Sequence, residues 1–80
     1  METVDIVTRL TEIFHEVFGD NSIVLNEQMT ASDVDGWDSL THMIMIAKVE
    51  ASFGVKFKLK ELNRLKQVGD IIAILEEKCQ

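Results

Sequence analysis

Residues 39–53 constrain the fold more than any other stretch, because they read as one helix with two apolar faces. At 100° per residue, His42, Met45, Ile46, Val49 and Phe53 share one face. Leu40, Met43, Ile44, Ala47 and Ala51 share the opposite one. Thr41 and Lys48 separate the two stripes on one side and Glu50 on the other. A chain of 80 residues makes one domain, and one this small buries only roughly 60% of its unfolded surface. It has no second layer to cover both stripes. One must be core, and the other must face solvent or a partner.

The rest of the chain is read around that helix. Ile6, Val7, Leu10, Ile13, Phe14, Val17 and Phe18 follow the helical repeat on one face of a first helix, which begins at Glu2 or Thr3 and stops at Gly19. Asp5, Arg9, Glu12 and Glu16 lie on or beside its other face, and His15 reads as a solvated residue toward the polar side. Residues 20–38 form a connection longer than compact domains carry without internal packing or function. Ile23, Val24, Leu25 and Met29 are its expected anchors, with room for a single helical turn. Trp37 is expected to pack the end of this loop against the helices.

The central helix stops at Gly54. Val55, Phe57 and Leu59 then alternate with Lys56, Lys58 and Lys60, but a lone strand would have no partner, so an extended loop is expected. Leu62 and Leu65 mark a short helical segment. The final helix is expected over roughly Gly69 to Lys78, with Val68, Ile71, Ile72 and Leu75 inward. The absence of proline fits an all-α chain. The expected architecture is a four-helix bundle, three helices longer and one short, with a long first loop, forming a single domain over residues 1–80.

Charge and cysteine content exclude several functions. Fourteen acidic against 8 basic residues give a net charge of −6. Nucleic-acid binding needs a basic face and is not expected. Self-repulsion of this kind implies that dissolved cations stabilise the fold. One cysteine, Cys79, allows no internal disulfide. No apolar run reaches membrane length and no targeting segment is recognised, so a cytoplasmic monomer with no membrane partner is expected.

Two candidate sites fail on their chemistry. Setting Gly36 at the sixth position of a calcium loop puts Asp33 and Asp35 at the third and fifth. The first and twelfth positions are then Ala31 and His42, so two of the strongest ligands are missing and no dedicated metal site is expected. Ser39 and His42 stand three apart on a helix and could touch. No third residue orients the imidazole and no glycine-rich oxyanion loop flanks the serine, so no catalytic residue is assigned and the chain is not read as an enzyme.

What remains is the start of the central helix, Gly36-Trp37-Asp38-Ser39-Leu40. Asp38 is suited to the N-cap, since a carboxylate there accepts the orphan N–H groups of the first turn. Ser39 then occupies the first helical position, where the helix dipole favours a phosphate carried on its oxygen. These residues resemble the attachment site of acyl carrier proteins and related peptidyl carriers, whose shared core is Asp-Ser-Leu. The resemblance extends over the chain in length, acidity and order of elements.

It implies that Ser39 carries a 4′-phosphopantetheine arm, installed from coenzyme A by a phosphopantetheinyl transferase that uses magnesium. The thiol of the arm would hold acyl groups as thioesters for acyl-activating, condensing or acyl-transfer enzymes. By the same resemblance, Asp38, Leu40, Met43, Ile44 and Ala47 form the partner-contact face. Carriers of fatty-acid synthesis place more carboxylates on this helix. Its greasier character here implies a free-standing carrier of a specialised fatty-acid or polyketide-type pathway. An aminoacyl or peptidyl carrier is the closest alternative, and an unmodified helical docking protein the second.

Overall fold

The computed structural model describes residues 2–79. The first helix, α1, runs Thr3–Phe18, and a single 3₁₀ turn occupies Ala31–Asp33. The central helix, α2, spans Ser39–Phe53, the short α3 spans Leu59–Leu62, and α4 spans Val68–Lys78. α1 packs against both α2 and α4. No strand occurs among the described residues, so the all-α bundle of three long helices and one short one is the observed architecture.

Each long helix forms where its apolar repeat predicts. Ile6, Leu10, Ile13 and Phe14 of α1 are buried, with Val7, Val17 and Phe18 packed at the edge of the core. Met45, Ile46 and Val49 face them from α2, and Val68, Ile71, Ile72 and Leu75 from α4. Each such side chain contributes about 1.5–3 kcal/mol when fully buried. Ile74 is buried as well, beyond the four inward positions read from the sequence. α1 and α2 end at Gly19 and Gly54, both in the left-handed conformation that stops a helix (φ 63° and 66°).

The long first loop is sewn to the bundle through backbone as much as side chains. The N–H groups of Val68 and Gly69, orphaned at the start of α4, donate to the carbonyls of Met29 (2.8 Å) and Glu27 (2.9 Å). Ile23 is buried and Leu25 and Met29 are half-buried, but Val24 is 79% exposed and is not an anchor. Val24 turns out between the inward-facing Ile23 and Leu25. Val34, 5% exposed, holds the other end of the loop.

Two further expectations need correction. His15 is half-buried, not solvated: its Nε2 donates to the Ile23 carbonyl at 2.8 Å, pinning the loop to α1. The short helix lies earlier than Leu62 and Leu65 imply. It starts at Leu59, 75% exposed, and Leu65 falls beyond its end while still packing on the core. Glu61 fixes the start of α3, accepting from the Lys58 N–H at 2.8 Å, and it pairs with Lys78 of α4 at 2.9 Å. Those two partners, the Lys58 N–H first, hold its carboxyl below the usual range.

Candidate functional site

The beginning of α2 is built by a closed set of hydrogen bonds. The Asp38 carboxylate accepts from the Thr41 N–H at 2.9 Å, and the Asp38 N–H donates to the Thr41 hydroxyl at 2.8 Å. The same hydroxyl donates to the Gly36 carbonyl at 2.6 Å. This is a capping box in which threonine takes the place of the usual glutamate. The Thr41 N–H is the main cause that draws the Asp38 carboxyl below its ordinary value, so Asp38 is an anion tied to its own helix.

Ser39 follows as the first residue of α2, and it is exposed. Its hydroxyl stands at the positive end of the helix, which favours a negatively charged group there. Beside it lies a cavity of about 270 Å³ lined by Ala31, Trp37, Asp38, Ser39, His42, Leu65 and Lys66. Trp37 forms one wall. Its ring meets Phe14 edge-on at 5.3 Å and lies 5.9 Å from Phe18, which anchors the loop end as expected. It also lies parallel to the His42 ring, 6.0 Å between centroids.

The indole N–H of Trp37 donates to His42 Nδ1 at 3.0 Å. An indole nitrogen can only donate, so Nδ1 must be the acceptor and the proton of the neutral ring sits on Nε2. Partial burial pushes the His42 pKa down and favours this neutral form. A ring with its proton on Nε2 and its Nδ1 lone pair engaged has no free base to offer. No hydrogen bond joins Ser39 to His42 among the described residues. The serine-histidine pair is therefore not set up for hydrolysis.

Of the five residues assigned to partner contact, all are exposed. Leu40, Met43 and Ile44 are 71%, 53% and 43% exposed, and Ala47 and Ala51 continue the stripe. Neither α4 nor any other described element covers it. The charges that flank the stripe are already committed. Lys48 pairs with Glu16 of α1 at 2.8 Å, and the Glu50 carboxylate accepts from the Phe57 N–H at 2.8 Å. Among the described residues no group of three His, Cys, Asp or Glu side chains stands close enough to hold a metal ion. No helix is long and apolar enough to cross a membrane among them.

The cavity brings in residues that the sequence reading did not connect to the site. Ala31, Leu65 and Lys66 come from the 3₁₀ turn and from the α3–α4 connection, and no local pattern marks them as neighbours of Ser39.

Comparison with known proteins gives a consistent result. The acyl carrier protein of Thermotoga maritima is 30% identical over 74 residues, covering 92% of this chain and 91% of that protein. The meromycolate extension acyl carrier protein of Mycolicibacterium smegmatis is 34% identical over 74 residues, 91% of this chain and 74% of its own length. The solution structure of holo acyl carrier protein from Geobacter metallireducens superposes with a TM-score of 0.85 at 46% identity, covering 90% of this chain and 83% of that one. No protein-family model matches the chain.

The chain belongs to the acyl carrier protein family. Acyl carrier proteins are carriers acted upon by enzymes and are not enzymes themselves, and 4′-phosphopantetheine is the family's prosthetic group. The residues present fit that group. An exposed serine sits at a helix N-terminus, the adjacent carboxylate is engaged elsewhere, and the neighbouring cavity is lined by Trp37 and Leu65 together with His42 and Lys66.

Proposed function

We propose that Ser39 is the attachment residue for 4′-phosphopantetheine and that residues 1–80 act as one carrier domain for acyl groups. The observation that carries the reading is the exposed Ser39 hydroxyl at the first position of α2, reached from solvent and backed by a cavity. When bound, the group supplies a terminal thiol that holds an acyl cargo as a thioester. The protein's own part is to present the serine, favour the phosphate through the helix dipole, and offer partner enzymes a tethered cargo at high effective concentration.

The partners in this reading are a phosphopantetheinyl transferase and acyl-activating, condensing or acyl-transfer enzymes. Asp38, Leu40, Met43, Ile44 and Ala47 meet them. Because Lys48 and Glu50 are engaged within the chain, the exposed face of α2 from Leu40 to Ala51 offers partners mainly apolar surface, with the Asp38 carboxylate at its start. That character supports a specialised fatty-acid or polyketide-type pathway, with partner surfaces less basic than those that read a carboxylate-rich helix.

Incubation with coenzyme A and a broad-specificity phosphopantetheinyl transferase, followed by intact mass measurement, tests the attachment. Wild type gains the mass of one phosphopantetheine, and Ser39→Ala gains none. Absence of any gain in wild type overturns the carrier reading and leaves a helical docking protein.

A further inference from the structure

Charge is unevenly spread along the chain. Four of its 8 basic residues, Lys56, Lys58, Lys60 and Arg64, fall within residues 56–64, around the short α3. In a protein of net charge −6 this region is locally positive. The packing turns all four outward. Val55 and Phe57 pack against the core, while Lys56, Lys58, Lys60 and Arg64 are exposed. The one acid of the segment, Glu61, is taken up by the Lys58 N–H and by Lys78. Neither ion pair among the described residues uses any of the four cations.

The same region carries uncovered apolar surface. Leu59 stands between Lys58 and Lys60 at the start of α3 and is 75% exposed. Just before it, the exposed stripe of α2 ends in a recess of about 440 Å³ lined by Ala47, Glu50, Ala51, Gly54, Val55 and Lys56. Its walls are mostly small residues, and the Glu50 carboxylate is already held by the Phe57 N–H. Unpaired cations and an apolar knob thus follow directly on a recess at the end of α2. At ~1.5 Å per helical residue, Gly54 stands roughly 22 Å from Ser39.

We propose that this region is a second docking surface, and that its occupant is an acidic segment of a partner protein, with carboxylates set around an apolar side chain. The carboxylates meet Lys56, Lys58 and Lys60, and the apolar side chain covers Leu59 or enters the recess. Charge selects this occupant over two others. A second copy of the chain brings a further charge of −6, and an anionic bilayer presents like charge to most of the molecule at once. A bilayer also has no side chain to fill the recess. A short acidic segment touches the positive region alone. Bound there, a partner holds the carrier by the end of α2 opposite the serine and leaves Ser39 and Leu40 free. Nothing in this surface depends on Ser39 being the attachment residue.

The test titrates the unloaded, ¹⁵N-labelled protein with two synthetic peptides of equal length and charge. One alternates glutamate with serine, and the other has leucine in place of the central serines. Both should move the amide resonances of residues 55–64, and the leucine peptide those of Ala47 and Ala51 as well. Lys58→Gln and Lys60→Gln together should weaken both peptides about fivefold, as should raising salt from about 0.05 to about 0.5 M. Leu59→Ser should weaken the leucine peptide alone, by about fivefold or more. The replaced side chains are exposed, so the amide spectrum of the core should be retained. Absence of shifts with both peptides, shifts centred outside residues 55–64, or undiminished binding by the lysine variant overturns the surface. Sedimentation with phosphatidylserine vesicles through these lysines without peptide binding assigns the patch to lipid, and salt-sensitive self-association lost in the lysine variant assigns it to a second copy; either overturns it too. Ser39→Ala should bind both peptides as wild type does, so failure here leaves the carrier reading intact.

Discussion

Gly69 lies directly against the backbone of Glu27. Its N–H donates to the Glu27 carbonyl at 2.9 Å, and a Cβ added to it would stand 2.9 Å from that same oxygen and 3.1 Å from the Glu27 Cβ. The start of α4 and the first loop can approach this closely only because residue 69 has no side chain. The loop is therefore held by the end of a helix distant in sequence, and through it the 3₁₀ turn that lines the cavity beside Ser39.

The consequence is a substitution whose sign opposes helix propensity. Alanine in place of a helical glycine ordinarily gains up to about 1 kcal/mol. Here Gly69→Ala must push the loop backbone away, at a cost typical of overpacking, about 1–3 kcal/mol. Urea unfolding followed by Trp37 fluorescence measures it. An unchanged or raised midpoint would show that the contact gives way freely.

The parts of the fold set by local rules were legible in the sequence. The α1 stripe from Ile6 to Phe18, the stops at Gly19 and Gly54, the Asp38 cap and the division of α2 into an inward and an outward stripe all depend on residues within a turn or two of each other. What was not legible is non-local. Nothing near Val24 says that it turns outward while Val34 is buried, since that depends on which carbonyls α4 claims from the loop. His15 looks like a surface residue on a helical wheel, and only the return of Ile23 gives it a partner. Of the candidate site, Ser39, its cap and the exposed stripe were readable. Leu65 and Lys66 were not, because the connection that delivers them has no periodicity to reveal its path.

Thr41 is predicted to matter more than its exposed neighbours. It closes the cap with its N–H, accepts from Asp38 and donates to Gly36. Thr41→Val keeps the shape and removes the hydroxyl, at about 1–2 kcal/mol for two lost hydrogen bonds. Asp38→Ala acts in the same direction, and Asp38→Asn less, since an amide oxygen still caps. Thermal unfolding of the three variants should rank them in that sense. Equal stability of Asp38→Ala and wild type would remove the cap from the account of why α2 begins where it does.

Acid is predicted to loosen the site through His42. Burial depresses its pKa below the ordinary 6.5, so between the two values the unfolded chain binds a proton that the folded chain refuses. This contribution is complete above the ordinary value and is lost as pH falls below it. Protonation would also turn Nδ1 from an acceptor into a donor facing the Trp37 N–H. Neutralising carboxylates on a chain of charge −6 works the other way, so the comparison is made against His42→Gln. Between about pH 7.5 and about pH 5.5, wild type should lose more stability than the variant. Parallel losses in the two proteins would rule out His42 as the titrating group.

The exposed stripe of α2 yields the prediction most specific to this chain. Leu40 contributes nothing to the core, so Leu40→Ser should change folding stability by no more than about 0.5 kcal/mol. If the stripe meets partners, burying a leucine there is worth about 1.5–3 kcal/mol. Its loss should then raise the KM of a phosphopantetheinyl transferase for the unloaded protein by about tenfold or more, at 1.4 kcal/mol per factor of ten. The flanking charges make a second claim. Lys48 and Glu50 are engaged inside the chain, so docking through this face should respond weakly to salt, although exposed charges are strongly screened beyond a Debye length of about 10 Å at 0.1 M. Steady-state kinetics over a range of salt concentrations tests both parts. A KM unaffected by Leu40→Ser but rising steeply with salt would move the docking surface off this stripe and onto the acidic parts of the protein.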